Sequence, residues 1–346
     1  MHRRKFITLS SISIAAFAAA GMRADNGFLM TVNGKISAKD FGLFLPHEHV
    51  ITDFTGAEKV VQPQYNRDDA FNKMVPYLHQ AERNGINIMA ECTPAYIGRD
   101  VLLLQRLSKA SGIQIITNTG YYAAAGMKYL PKHAYTETAE QLSARWIKEW
   151  NDGIEGTGIR PGFIKLGVDG GPMNDVQQKL VKAAALTHLK SGLTIAIHNG
   201  GTEAVYQQLE ILKTEGVKPD ALIWVHAQND KDGQSHIALA KKGCWVSLDG
   251  VNASDAAIKQ YADRVLALKS AGLLHRLLLS HDDGFAVNKT DTGLSFDAYK
   301  NGNAQPYQSL FSKLKPALLS SGLTEAEFKI ITQDNPVKAF KVGIRS

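Results

Sequence analysis

Short apolar runs rich in β-branched residues alternate with helical segments eight times along this 346-residue chain. The runs have the length of buried strands, and the segments between them repeat apolar residues at helical spacing. Eight strand–helix units between residues 42 and 282 predict an α/β fold of the closed (β/α)8 type, the TIM barrel, with an open doubly wound sheet as the alternative. The predicted strands span residues 42–49, 86–92, 113–119, 162–168, 193–198, 221–226, 244–249 and 276–282.

The predicted helices have recognisable ends. Asn174 and Gln177 form a capping box at the start of one helix, and Gly192 ends it. The polar segment 283–306 is expected to be a long active-site loop, and helices near the C-terminus complete the outer shell. No linker rich in Pro, Gly or Ser divides the sequence, so residues 25–346 are expected to form one barrel domain. The other predicted helices span residues 68–84, 98–110, 136–152, 202–216, 235–242 and 255–270.

The first 24 residues have the order of an export signal. Arg3, Arg4 and Lys5 precede an uncharged apolar run, and small residues follow it up to Ala24. The run is too short to span a bilayer comfortably, so no stable membrane insertion is expected. The adjacent arginines suit a twin-arginine signal, and an ordinary secretory signal is the alternative. Either one predicts an exported protein, periplasmic or extracellular.

Most of the basic excess of the chain lies in that segment. The whole sequence carries 39 Lys and Arg against 33 Asp and Glu, and removal of residues 1–24 leaves 35 against 33. A nearly balanced chain lacks the charge excess of nucleic-acid-binding proteins, so no nucleic-acid partner is expected. The two cysteines, Cys92 and Cys244, lie in separate apolar runs and are expected to be buried free thiols.

Four histidines, one lysine and one aspartate fall towards the C-terminal ends of predicted strands, where barrel enzymes carry their catalytic groups. They are His47, His49, Lys165, His198, His226 and Asp282. The spacing of His47 and His49 places both imidazoles on one face of a strand. A lone strand histidine is more often a core residue, but imidazoles gathered in an apolar barrel are costly unless something binds their lone pairs. A divalent metal such as zinc does so, and the pattern therefore predicts a metal site.

Lys165 is the unusual member of this set because a protonated amine cannot bind a metal. Carboxylation of the amine by CO2 would convert it into a carbamate with two oxygens, able to bridge two ions. The alternative is a buried ion pair between Lys165 and Asp282.

Five motifs containing these residues occur in the order and approximate spacing of a known family. They are Phe44-Leu-Pro-His-Glu-His49, Gly162-Phe-Ile-Lys-Leu-Gly167, Ile195-Ala-Ile-His198, Val225-His226 and Leu279-Ser-His-Asp282. In these motifs the chain resembles the phosphotriesterase family of the amidohydrolase superfamily. The resemblance extends to residues 97–100, 153–160 and 334–340, so it covers essentially the whole chain after the signal segment.

The resemblance implies a binuclear metal centre, usually zinc, and hydrolysis by a bridging hydroxide. It places His47, His49 and Asp282 on the buried metal and His198 and His226 on the more exposed one. Lys165, as N6-carboxylysine, would bridge both ions.

Two further roles follow from the resemblance. Asp282 would accept the proton of the attacking water, and Tyr122 occupies the place where relatives put an aromatic residue against the hydroxide or the substrate. A rim aromatic without a catalytic part is the alternative for Tyr122. Close relatives are commonly dimers, so a homodimer is expected.

The sequence departs from the family pattern at two places. Asn229 stands where organophosphate-hydrolysing relatives have an acidic residue, with Asp230 next to it, and Gly250 replaces the arginine of a Leu-Asp-Arg motif. We therefore expect a metal-dependent hydrolase. A small-molecule ester or lactone is expected as its substrate at least as much as a phosphotriester is. The alternative is a catalytically inactive metal-binding homologue that acts as a binding protein.

Overall fold

The computed structural model describes residues 27–39, 42–60, 63–231, 233–291 and 293–346. The predicted signal segment, residues 1–24, lies outside the described residues. The described chain begins with an antiparallel hairpin of β1 (Phe28–Thr31) and β2 (Gly34–Ser37). The strands that follow are β3 (Leu43–Glu48), β4 (Ile51–Thr52), β5 (Ile86–Glu91), β6 (Gln114–Ile116), β7 (Asn118–Thr119), β8 (Phe163–Val168), β9 (Thr194–Asn199), β10 (Leu222–Val225), β11 (Trp245–Leu248), β12 (Leu277–Leu279), β13 (Phe285–Thr290) and β14 (Gly293–Ala298).

Parallel strands form the predicted barrel. One ladder joins β3, β5 and β6, a second runs from β7 to β12, and Thr117 alone separates β6 from β7. Between the last and first strands, the Asp282 N–H donates to the His47 carbonyl at 3.3 Å. The (β/α)8 architecture expected from the strand–helix alternation is confirmed.

Helices surround the barrel close to their predicted positions. The capping box at Asn174 and Gln177 is present, and Gly192 ends that helix in the left-handed conformation that glycine favours. The helices are α1 (Arg67–Arg83), α2 (Val101–Ser111), α3 (His133–Thr136), α4 (Ala139–Asp152), α5 (Asp175–Ser191), α6 (Thr202–Thr214), α7 (Gln234–Lys242), α8 (Asp255–Ser270), α9 (Lys315–Ser320), α10 (Glu325–Lys329) and α11 (Asn335–Phe340). In the described part of the chain, no helix has both the length and the apolar character needed to cross a membrane.

Aromatic side chains fill the N-terminal half of the barrel interior. The Phe340 ring, at the end of α11, lies 5.2 Å from the Phe44 ring and 5.1 Å from the Phe163 ring, centroid to centroid. Leu29 of the β1–β2 hairpin belongs to the same buried cluster. Because this end is packed and apolar, polar chemistry is left to the C-terminal ends of the strands. Cys92 and Cys244 are both buried and free, as expected.

The segment 283–306 was expected to be a loop, and this expectation is wrong in part. β13 and β14 form an antiparallel hairpin, and β13 also pairs with β4 through Phe285 and Ile51. Most of the hairpin residues are exposed or half-buried, although Leu294, Phe296 and Ala298 alternate with polar residues along β14. The hairpin nevertheless lies beside the barrel mouth, where the loop was predicted.

Candidate metal centre

Apart from Lys165, the predicted metal-binding side chains come from strand ends on one rim of the barrel. His47 and His198 lie near the C-terminal ends of β3 and β9, whereas His226 follows β10 directly. His226 and Asp282 have φ angles of 60° and 58°, in the left-handed region that non-glycine residues seldom adopt. At both residues the backbone therefore turns sharply where the strand ends.

The ligand atoms of this set converge on Asp282. Its Oδ1 lies 3.2 Å from Nε2 of both His47 and His49, and its Oδ2 lies 4.0 Å from Nε2 of His226. The His198 ring stands edge-on to the His226 ring, with centroids 4.4 Å apart. All four predicted histidines and Asp282 therefore belong to one cluster.

Lys165 lies in the middle of β8, and its side chain is 2% exposed. Its Nζ has no hydrogen-bond partner among the described residues, and no ion pair joins it to Asp282 there. An ammonium buried without a partner would be strongly destabilised. The described structure thus lacks the Lys165–Asp282 ion pair that the sequence left open as an alternative, and the state of the buried amine needs another explanation.

Burial and neighbouring charges leave the imidazoles in different states. Burial, reinforced by the nearby Lys165, lowers the pKa of His47 to about 4. Burial also holds the pKa of His198 well below its ordinary value. Burial opposes the charged form of Asp282 as well, but His226, His47 and His49 outweigh it and hold its pKa well below the usual range. At His226, by contrast, the effect of burial is outweighed by the carboxylates of Asp249 and Asp282, which raise the pKa of this histidine.

Asp249, which follows β11, supports two of the histidines from behind. Its Oδ1 lies 2.7 Å from His226 Nδ1, and its Oδ2 lies 3.4 Å from His47 Nδ1. The hydrogen bond at Nδ1 of His226 orients its ring so that Nε2 faces the cluster, and the same carboxylate approaches His47 without a well-aligned hydrogen bond. The sequence alone did not predict this role of Asp249, because its partners are 23 and 202 residues away and local spacing does not show such contacts.

The donor set suits divalent metal ions. It combines imidazoles with a carboxylate, the ligands that zinc and similar ions prefer. The ring nitrogens of the buried His47 lie 3.4 Å from Asp249 and 3.2 Å from Asp282, but neither makes a well-aligned hydrogen bond among the described residues, and Lys165 Nζ makes none there either. Buried polar atoms left in this state are usually satisfied by something bound between them. The residues present therefore fit a metal centre.

Comparison with known proteins agrees with this chemistry. Residues 27–340 match the sequence profile of the phosphotriesterase family. The chain belongs to this family. Its members have a fold that implies a binuclear metal centre.

Individual relatives cover nearly the whole chain. An aryldialkylphosphatase from Saccharolobus solfataricus is 27% identical, with 88% of this chain and 96% of the relative covered. An N-acetyltaurine hydrolase from Rattus norvegicus is 23% identical and covers 91% of this chain and 98% of its own. The solved organophosphorus hydrolase from Deinococcus radiodurans shares the fold, with a TM-score of 0.79, 24% identity, and coverage of 92% and 98%. The relatives are hydrolases with differently named substrates.

Tyr122 lies beside the cluster of this phosphotriesterase-family protein, and its role against the hydroxide or the substrate stays a prediction. Its ring stands edge-on to His198 with centroids 5.1 Å apart. It packs against Gly167 so closely that a Cβ there would lie 2.4 Å from ring carbons. Glycine at position 167 is therefore required for this placement of the ring.

A second group of potential ligands, next to the first, is already hydrogen-bonded. Glu48 Oε1 accepts from His281 Nδ1 at 2.8 Å and from the Ser280 hydroxyl, and Glu48 Oε2 accepts from the Asp283 N–H. His281 Nε2 accepts from the Leu310 N–H at 3.0 Å. Because both of its ring nitrogens are engaged, His281 takes no part in the candidate metal centre, and the group connects β3 to the segment after β12.

The departure from the family pattern at Gly250 has a structural counterpart. A Cβ at this position would lie 2.8 Å from both Gln228 Nε2 and the Tyr261 hydroxyl oxygen. That hydroxyl accepts from the Gly250 N–H, and Gln228 Oε1 accepts from the Asp249 N–H. Two side chains thus occupy the space beside Gly250 and hold the backbone that carries Asp249.

Proposed function

We propose that the protein is a binuclear-metal-dependent hydrolase acting on a neutral ester or lactone. The observation that carries the proposal is the convergence of four imidazoles and Asp282 around a buried lysine whose Nζ is unpaired in the described structure. Both features are accounted for by one pair of divalent ions, and family membership favours the same interpretation.

Distances to Asp282 support the division of ligands between two positions. Nε2 of both His47 and His49 lies 3.2 Å from Asp282 Oδ1, whereas Nε2 of His226 lies 4.0 Å from Oδ2, and we assign His47 and His49 to the inner ion with Asp282. His198 and His226 would hold the outer ion. When bound, a metal pair supplies a water that is ionised near neutral pH and polarises the substrate oxygen. We expect zinc at both positions.

Lys165 would join the two positions as N6-carboxylysine. Addition of CO2 to the neutral amine forms an N–C bond, and loss of one proton leaves a carbamate anion. The anion removes the cost of an unpaired buried ammonium and offers two oxygens in its place. Asp282, whose carboxylate is 33% exposed, then lies where it can accept the proton released by the attacking water.

The surroundings of the cluster favour a substrate with an apolar group. Aromatic rings form a continuous arc from His198 to His49. The centroids of neighbouring rings along it lie 5.1, 5.9, 6.1, 6.0 and 5.8 Å apart. The four residues between the histidines are Tyr122, Tyr129, Phe54 and Tyr299. An aromatic wall of this kind binds acyl or aryl groups by burial of apolar surface.

The decisive experiment joins metal analysis to a substrate panel. The purified protein should contain two divalent ions per chain and should hydrolyse at least one member of a panel of lactones, carboxylic esters and phosphotriesters. His226→Ala should reduce kcat/KM by at least ~100-fold. Fewer than two ions per chain would contradict the binuclear centre. Equal rates for both proteins, or no turnover with metal fully bound, would favour an inactive binding protein.

A further inference from the structure

The group that contacts Nδ1 of His49 differs from the group that contacts Nδ1 of His47 and His226. The carboxylate of Asp249 approaches His47 and His226 directly, whereas Nδ1 of His49 lies 2.8 Å from the hydroxyl oxygen of Thr93. Thr93 follows β5 and is fully buried. Its hydroxyl is therefore the group that determines which nitrogen of His49 carries the proton.

The hydroxyl of Thr93 is itself directed by Glu91. It donates to Glu91 Oε1, so its oxygen remains free to accept from the Nδ1–H of His49. Proton donation thus runs in one direction, from imidazole to hydroxyl to carboxylate. Donation from Nδ1 to Thr93 leaves Nε2, which lies 3.2 Å from Asp282 Oδ1, as the nitrogen of His49 that faces the cluster.

The surroundings of Glu91 fix this direction. The carboxylate also accepts from the backbone N–H groups of Val50 and Thr93, each at 3.2 Å. Each of the three hydrogen bonds of this carboxyl group in the described structure is donated to it, so Glu91 is the acceptor at the end of the chain of hydrogen bonds. Asn118 holds the same turn in place, because its Nδ2 donates at 3.0 Å to the carbonyls of both Glu91 and Thr93.

We infer that Glu91 and Thr93 are positioning residues that prepare His49 to bind the inner metal ion. This inference rests on the proposed function, since it assigns a metal to that site. Glu91 acts through Thr93 and touches neither substrate nor metal. Its carboxylate is 1% exposed, a costly position that the chain of hydrogen bonds explains.

The test compares metal binding in variants that remove or keep the hydroxyl. Thr93→Val, similar in shape but without the hydroxyl, should weaken Zn²⁺ binding about 10- to 100-fold in competition with a chelator. It should also change the visible absorption spectrum of the Co²⁺-substituted protein, which reports ligand geometry. Thr93→Ser keeps the hydroxyl and should stay within about twofold of the parent protein.

A matched control separates positioning from stability. Thr187 is a buried threonine of α5 whose hydroxyl donates to the Ala183 carbonyl, remote from the cluster. Thr187→Val should lower the unfolding temperature without changing Zn²⁺ affinity or the Co²⁺ spectrum. If Thr93→Val does not fold, Glu91→Gln is the second variant, because an amide can donate to Thr93 and reverse the order of the hydrogen bonds.

The outcomes distinguish this inference from the proposed function. Unchanged Zn²⁺ affinity and an unchanged Co²⁺ spectrum in Thr93→Val, or in Glu91→Gln if that variant is needed, would overturn the positioning role alone. A parent protein that binds no Zn²⁺ would overturn both. Weaker binding in Thr93→Val, with Thr93→Ser and Thr187→Val unchanged, would establish the role.

Discussion

At the scale of single residues, the candidate metal centre combines strain with unsatisfied polar atoms. His226 and Asp282 hold left-handed backbone conformations, which cost about 1–3 kcal/mol each. Lys165 Nζ and both ring nitrogens of His47 are buried without hydrogen-bond partners among the described residues. Features of this kind persist where a bound group compensates for them. We therefore expect metal binding to add to the stability of the fold.

Lys165 provides the sharpest prediction at this scale. Lys165→Ala should lose at least one metal ion per chain and reduce kcat/KM by at least ~100-fold, because no other described side chain can supply the bridging carbamate. Short carboxylates or bicarbonate should restore part of the activity. Metal content by mass spectrometry and initial rates measure both effects. Lys259→Ala, on the exposed face of α8, is the matched control, and full metal retention in Lys165→Ala would exclude the bridge.

At the scale of secondary-structure elements, loops from different strands assemble the mouth of the site. Phe54 follows β4 and Tyr299 follows β14, and their ring centroids lie 6.0 Å apart. Lys128 Nζ donates to the Phe54 carbonyl at 2.7 Å and connects this turn to the segment after β7. The hairpin that replaces the expected loop therefore contributes directly to the aromatic wall.

Phe54 tests whether that wall binds substrate. Phe54→Ala should raise KM for substrates with long acyl or aryl groups about 10-fold, with kcat and metal content nearly unchanged, because ~1–2 kcal/mol of apolar burial is lost. Leu102→Ala is the matched control, since Leu102 on α2 is 43% exposed and Phe54 is 42% exposed. An unchanged preference among substrates of different chain length would remove Phe54 from the binding site.

A buried histidine of α5 predicts acid sensitivity on the outer shell. His188 Nδ1 lies 2.9 Å from the Leu193 carbonyl oxygen, and its Nε2 accepts from the Arg345 N–H at 2.9 Å. This arrangement requires a neutral ring, and burial lowers the pKa of His188 below its ordinary value. The unfolded chain therefore binds the proton more readily, and stability should fall as the pH decreases below ~6.5.

The measurement is the free energy of urea unfolding at pH 7.5 and pH 5.5, with equal metal content in every sample. His188→Gln should lose less stability on acidification than the parent protein, because it cannot take up this proton. Lys190→Gln, from the same turn of α5, should behave like the parent. Equal acid sensitivity in His188→Gln and the parent would show that His188 does not contribute.

At the scale of the whole molecule, the two ends of the barrel are specialised. Phenylalanines and the C-terminal helix fill the N-terminal end, and the candidate metal centre lies at the other. We propose that the complete chain is exported to the periplasm or beyond, guided by the segment that contains Arg3 and Arg4. Removal of that segment would leave a nearly neutral protein.

Export can be tested without knowledge of the substrate. The intact mass of the protein recovered from the periplasmic or extracellular fraction should correspond to a chain that starts near Asp25. Arg3→Lys together with Arg4→Lys should retain the precursor inside the cell if the twin-arginine route is used, whereas unchanged export would indicate the general secretory route. Full-length protein confined to the cytoplasm would contradict both.

The order of elements and the ligand types were readable from the sequence. Strand–helix alternation is a local property, so it predicted the barrel, and the strand-end position of His47 or His226 followed from it. The hairpin β13–β14 escaped prediction because its polar, glycine-containing sequence is typical of a loop, and its apolar alternation at Leu294, Phe296 and Ala298 is short. Glu91 and Thr93 escaped because their roles depend on His49, more than 40 residues away.

The sequence by itself thus determined the architecture, the family and the six candidate ligands, because residue type and spacing encode them locally. Only the tertiary structure decided which side chains contact the Nδ1 atoms of those histidine ligands. Asp249 reaches His226 and His47, and Thr93 reaches His49, through contacts between strands far apart in the chain. Ring closure of the barrel brings these groups within hydrogen-bond distance, and no local pattern records which residues meet when it closes.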